Sequence, residues 1–284
     1  MRESLRLSYR KAQAFLVDVP DWLASIGMKH APDHNTMWRA FGVLLAAREI
    51  KRALDLMADD AAEELSAGLG VKPLTIDSTC YEPRHRSRHY DRVCRKMDLK
   101  TGQKYRQKPG KYGPAVNASR SRNLKRMPKL ALATAAASHR ILAARASIGN
   151  GSDAPDFEPL LFHSWRRAKV KRVVADAGYD SEDNHRLARL DMGVRSVIPP
   201  KIGRPSKSPP GGYYRRLMKS RFKRKADAKL YGQRSQSETT NSMMKRNLGE
   251  SLRSIRPERQ KQEMLLRALT HDLMLGQEKK EGRD

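Results

Sequence analysis

Two short apolar runs, "VKPLTIDST" (residues 71–79) and "VKRVVADAGYD" (residues 170–180), constrain this chain more than anything else in it. Both are rich in aliphatic and β-branched residues, both stop at an aspartate (Asp77 and Asp176), and both continue into small residues that suit a turn. The second run is followed by "SEDNHRLARLDMG", a helix with Ser181 as its cap and Gly193 as its stop, and then by a further short strand, "VRSVIPP". Ahead of it, "DFEPLLFHSWRRAK" has amphipathic helical spacing. Strands alternating with helices give an α/β sheet. "PKLALATAAASHRILAARASIG" adds two apolar segments broken at Ser138 and His139, read as an antiparallel pair of strands, although its alanines leave a helix open.

The flanking regions differ. Residues 5–66 are helical in pattern, in three segments, with the capping-type residues Asp33 and Asn35 before the third. Three helices in a basic chain suggest a helix-turn-helix reader. The connector "MKHAPDHN" is longer than the three or four residues of such a turn, so plain helical packing or dimerisation weighs equally. Residues 82–129 and 199–229 are basic, contain Pro and Gly, and read as loops with a backbone-contacting surface. Residues 266–284 read as a charged tail, frayed at "GQEKKEGRD".

With 58 Lys and Arg against 31 Asp and Glu, the chain carries a formal charge of +27 and calls for a polyanionic partner, nucleic acid before all others. A membrane is the competitor, but the best apolar run, "FGVLLAA", is far short of the roughly 20 residues of a spanning helix. "MRESLRLSYRKAQ" lacks the apolar stretch of a secretory signal, which points to the cytoplasm. Cys80 and Cys94 enclose His85 and His89, four potential zinc ligands, but the order is not that of a zinc knuckle. Arg84, His85 and Arg88 are better read as DNA-facing.

In so cationic a chain the acids stand out. Asp77 and Asp176 end buried strands, whereas Asp91, Asp98, Asp180 and Asp183 lie in basic loops or at a helix start. A third acid, Glu238, is flanked by cations in "YGQRSQSETTNSMMKR". On one continuous helix Tyr231, Arg234, Glu238 and Lys245 fall inside an arc of roughly 60°. An Arg234–Glu238 pair alone would stabilise that helix by about 0.2–0.5 kcal/mol. Together, two strand aspartates and a helix glutamate offer the hard oxygen ligands that Mg²⁺ prefers. Two such ions about 3.5–4 Å apart can assist an in-line phosphodiester displacement.

The spacing Y-x-x-R-x-x-x-E-x-x-x-x-x-x-K, met by Tyr231, Arg234, Glu238 and Lys245, resembles the signature of one large group of insertion-sequence DDE transposases. "TIDST" and "VVADAGYDSEDNHRLA" are similar to that group's first and second aspartate motifs, in order and spacing, and the likeness covers about residues 71–260. The resemblance implies a retroviral-integrase-like, RNase H-like α/β catalytic core with a mixed sheet over residues 71–265, interrupted by the basic insertion. A small all-α region, residues 1–70, would precede it, with recognition of the transposon ends by a helix-turn-helix and plain helical packing both open for it. Asp77, Asp176 and Glu238 would be the catalytic metal ligands, holding two Mg²⁺ with Mn²⁺ as a substitute. Arg234 and Lys245 would contact end phosphates, with Tyr231 against the terminal nucleotides. The implied reaction frees a 3′-hydroxyl at a terminal inverted repeat and joins it to target DNA, in a homodimer associated with a prokaryotic nucleoid. The rivals are a basic DNA-binding protein, including an inactive remnant, and an RNase H-like nuclease without strand transfer.

Overall fold

The structure, a computed structural model, describes residues 1–43, 45–83, 127–149, 151–201 and 211–281. In chain order, helices α1 (Tyr9–Asp18), α2 (Pro20–Ser25), α3 (His34–Val43), α4 (Ala47–Asp60) and α5 (Ala62–Val71) lead into strands β1 (Leu74–Cys80) and β2 (Glu82–Pro83). Strands β3 (Pro128–Ala135) and β4 (Ile141–Ile148) form a hairpin, followed by α6 (Ala154–Arg167), β5 (Arg172–Ala175), α7 (Glu182–Arg186) and β6 (Arg195–Val197). Helices α8 (Tyr213–Lys223), α9 (Ala228–Gly232) and α10 (Ser235–Leu248), strand β7 (Ser251–Leu252) and helix α11 (Pro257–Glu281) complete the described chain.

The main sheet has the order β4-β3-β1-β5-β6. β1, β3 and β4 form an antiparallel meander, and β5 and β6 run parallel to β1. This is the mixed, RNase H-like α/β arrangement expected from the sequence. Side-chain alternation divides the sheet between two cores. One takes Leu74, Ile76, Ala131 and Ala133 with Phe157, Leu160 and Leu161 of α6. The other takes Leu130, Leu132 and Ile141 with Met244 of α10 and Met264 and Leu265 of α11. β3 is buried along its whole length, and its alanines let both layers approach closely. The hairpin turns where expected, with His139 at φ 59°.

Three expectations change. The third N-terminal helix is two, because Phe41 of α3 packs beside Tyr9 (ring centroids 6.3 Å apart) while Ile50 and Leu54 of α4 serve the sheet core. Helices α4 and α5 therefore pack against the sheet, with Leu65 and Leu69 of α5 in the α6-side core. Residues 266–276 are no tail: α11 continues through them with Arg267, Ala268, His271 and Asp272 buried. The insertion is partly helical, since α8 lies within it; residues 202–210 fall outside the described part.

Candidate active site

β1 is buried at its start and emerges at its end, so Asp77 lies where the strand leaves the core. Its register partner is Leu132, which places both side chains on the face covered by α10. There Asp77 Oδ2 accepts a hydrogen bond from Asn241 Nδ2 at 3.2 Å and a marginal one from Ser237 Oγ at 3.5 Å. Parallel pairing of Ile76 with Ala175 brings the next residues, Asp77 and Asp176, alongside each other at the ends of adjacent strands. Asp176 is extended (φ −71°, ψ 162°) ahead of the tight turn Ala177–Tyr179. That turn needs Gly178, because a Cβ there would come within 2.7 Å of the Asp153 carboxylate.

Glu238 comes to the same place from the first turn of α10, where the helix dipole favours an acid. Burial pushes the Asp77 carboxyl up to about 6, and Asp176 and Glu238 push the same way against the Ser78 amide and Arg234. Burial also raises the Tyr231 phenol, with Asp176 and Glu238 adding to it. Five residues from four segments thus share one electrostatic neighbourhood: Asp77, Asp176, Tyr231, Arg234 and Glu238.

The expected single helix through these residues is broken. α9 ends at Gly232, and the amides of Arg234, Gln236 and Ser237 bond three residues back, to Tyr231, Gln233 and Arg234. In such a tight turn residues i and i+3 eclipse, which sets the Arg234 Cζ 5.8 Å from the Tyr231 ring centroid. Phe222 supports that ring edge-on at 5.2 Å. Arg234 Nη2 donates to Glu238 Oε1 at 2.6 Å, and the Glu238 side chain is 56% exposed. Lys245 lies farther along α10, its Nζ 5.7 Å from the Tyr81 ring centroid near the end of β1. Arg84, His85 and Arg88, and with them His89 and Cys94 of the zinc alternative, lie outside the described residues.

Among the described residues no group of three His, Cys, Asp or Glu side chains converges to hold a metal ion, and Glu238 is turned to Arg234. The donor chemistry nonetheless fits a divalent cation. Asp176 and Glu238 both act on Asp77 as like charges, and the buried Asn241 Oδ1 beside Asp77 has no hydrogen-bond partner.

Asp180, set aside in the sequence, and several acids that the sequence did not single out have other work. Asp180 accepts from Arg215 Nε and Nη2 at 3.0 and 2.8 Å and from the Lys201 amide at 2.9 Å. Asp227 is gripped by Arg221 and Arg195. Glu182 accepts from the amides of Tyr214 and Arg215, so it caps α8 from outside. On the opposite face of the sheet, Lys129 bridges Asp153 at 3.0 Å and Asp156 at 2.9 Å, and Ser78 donates to Asp153 at 2.9 Å. Sequence reading missed Ser237 and Asn241. The signal was present: two polar residues four apart flank Glu238 on the side of the helix that meets the core.

A family model described as a transposase DDE domain matches residues 75–273. No curated protein and no solved structure matches the chain. The matched span is well over half of the chain and holds Asp77, Asp176 and Glu238 together with every strand of the main sheet except the first residue of β1. On its sheet order and this match, the chain belongs to the DDE transposases.

Proposed function

We propose that the chain cuts DNA at the ends of an insertion-sequence element and transfers the freed end to target DNA, with Asp77, Asp176 and Glu238 as its catalytic carboxylates. The observation that carries this reading is the placement of Asp77 and Asp176 at the ends of adjacent parallel strands, with Glu238 acting on Asp77 from α10 and burial raising the Asp77 carboxyl. Like charges are gathered in this way where a cation is to be bound.

In the first step a water attacks the end phosphorus in line, the P–O3′ bond breaks, and the 3′-oxygen leaves as a hydroxyl. In the second, that hydroxyl attacks a target phosphodiester and displaces a target 3′-oxygen. Asp77, Asp176 and Glu238 would hold the divalent ions, Mg²⁺ or Mn²⁺, which supply Lewis-acid stabilisation of attacking and leaving oxygens. Arg234 sits beside Glu238 and positions a phosphate there, Tyr231 offers a ring face to a terminal base, and Lys245 extends the grip along α10. The exposed Arg216, Lys219 and Lys223 lie within one side of α8 and suit a DNA backbone. Among the described residues no helix is long and apolar enough to cross a membrane.

The test is incubation of the purified protein with Mg²⁺ and DNA carrying the element's own ends. Cleaved and joined products are expected, and their persistence in Asp77→Asn or Glu238→Gln would overturn the site. Cleavage without joining would favour the nuclease reading.

A further inference from the structure

We propose that Asn241 is a positioning residue that ties the Asp77 carboxylate to α10 through its Oδ2 oxygen and so sets how that carboxylate meets the divalent ion. The proposal rests on the metal-dependent reading above and concerns a residue outside the Tyr-Arg-Glu-Lys spacing.

Asn241 and Asp77 are 164 residues apart in sequence, on α10 and β1, and meet at 3.2 Å. An ionised carboxylate only accepts hydrogen bonds, so the amide nitrogen of Asn241 is the end that faces it. Ser237, one turn earlier, approaches the same oxygen, but its hydroxyl has one proton and the Arg234 carbonyl lies closer, at 2.7 Å against 3.5 Å. The Ser78 amide also bonds the Asp77 carboxylate, but from the adjacent residue of the same segment, so the tie between Asp77 and α10 depends chiefly on Asn241.

Stability alone gives little reason for an amide at this position. Asn241 is 8% exposed, and its Oδ1 is buried with no partner, a state that disfavours folding. Met244 and Leu248, on the same helix, are already buried and anchor it without polar help. The Asn241 bond instead joins the strand that carries one acid to the helix that carries another. It sets where the Asp77 oxygens stand relative to Glu238, three residues earlier on α10. Partners of this kind, which orient a ligand without touching the ion, typically change metal affinity 10–100-fold when removed.

The experiment titrates Mn²⁺ into the full-length protein without DNA and follows the free-ion electron paramagnetic resonance signal. It compares wild type with Asn241→Ala, Asn241→Leu, Asn241→Gln and Asp77→Asn. Loss of the donor in Asn241→Ala is expected to weaken Mn²⁺ binding about tenfold, with Asn241→Gln recovering part of the loss. End-DNA affinity is expected to stay within twofold, and slowed single-turnover cleavage to be partly restored by higher Mn²⁺. Mn²⁺ affinity within twofold of wild type in Asn241→Ala would overturn the proposal. Should that variant fail to fold, Asn241→Leu, close in volume and lacking the donor, makes the same comparison. If Asp77→Asn itself binds Mn²⁺ like wild type, the metal-site reading fails. If Asp77→Asn loses binding while Asn241→Ala keeps it, only the role of Asn241 is lost.

Discussion

The chain buries carboxylates in two contrasting ways, on either side of β5. Around α7 and α8, Asp180 is paired with Arg215 and Asp227 with both Arg195 and Arg221. Burial pushes Asp180 up, but His185, Arg215 and the Lys201 amide outweigh it and bring its carboxyl down to about 2. Arg221 and Arg195 likewise hold Asp227 low against burial. At the end of β1, burial acts on Asp77 in the same direction, yet the nearby charges include two more acids and its carboxyl stands at about 6. Burial is common to both regions. What separates a structural acid from a candidate catalytic one is whether its neighbours neutralise it or leave that to a bound cation.

The largest expected effect breaks the comparison at the function. Asp77→Asn should slow end cleavage by about 10³-fold, the scale of several kcal/mol of lost metal-assisted stabilisation, and leave a cooperative thermal transition intact. Activity near wild type would place Asp77 with the structural acids. Next, Asp227→Asn should lower stability by roughly 2 kcal/mol in a denaturant titration. Breaking a buried pair costs about 3–5 kcal/mol, but the two arginine side chains are 44% and 29% exposed and water takes up part of the loss. An unchanged midpoint would show that the arginines need no counter-ion.

The smallest effect tests the sign. A carboxyl raised from 3.8 to about 6 favours folding below pH 4, and that contribution is lost as pH rises through about 6. Asp77→Asn should therefore match wild type in stability near pH 4 and exceed it by about 1–2 kcal/mol at pH 8, after allowance for solvent screening. Asp180 has the opposite sign: its contribution is present above pH 4 and lost as pH falls through about 2. Stability curves for wild type and Asp77→Asn that stay parallel from pH 4 to 8 would remove the electrostatic distinction.

The strands that place the candidate acids were legible because β1 and β5 are apolar runs that end abruptly in an aspartate, and the hairpin was legible from the polar break at Ser138 and His139. The break between α9 and α10 was not. A Tyr-x-x-Arg spacing puts two residues on one face of an α-helix and of a tighter turn alike, so periodicity cannot separate them. α11 was mistaken for a tail beyond residue 265 because its charges look solvated. In fact Arg267 is 1% exposed and donates to Glu263, which also accepts from the amides of Arg253 and Ser254. α8 resembled a loop because the groups that hold it, Asp180, Glu182 and Asp227, lie outside its own sequence. Ser237 and Asn241 show in the sequence only as polar residues four apart; that they serve Asp77 is visible only with β1 opposite them.

Helix α10 is indexed to its surroundings like a keyed shaft. Asn241 meets Asp77 on β1, Thr240 meets the ring of His139 at 3.2 Å on the β3–β4 hairpin, and Lys245 lies over Tyr81 just past β1. Thr240 and Asn241 leave the axis about 100° apart and Lys245 stands one turn beyond Asn241, so a rotation of the helix would break the first pair of contacts and a slide would break the register of the last two. The angular phase at which Glu238 is offered is therefore set by residues that need never touch a substrate, with a tolerance finer than its own exposed side chain could impose.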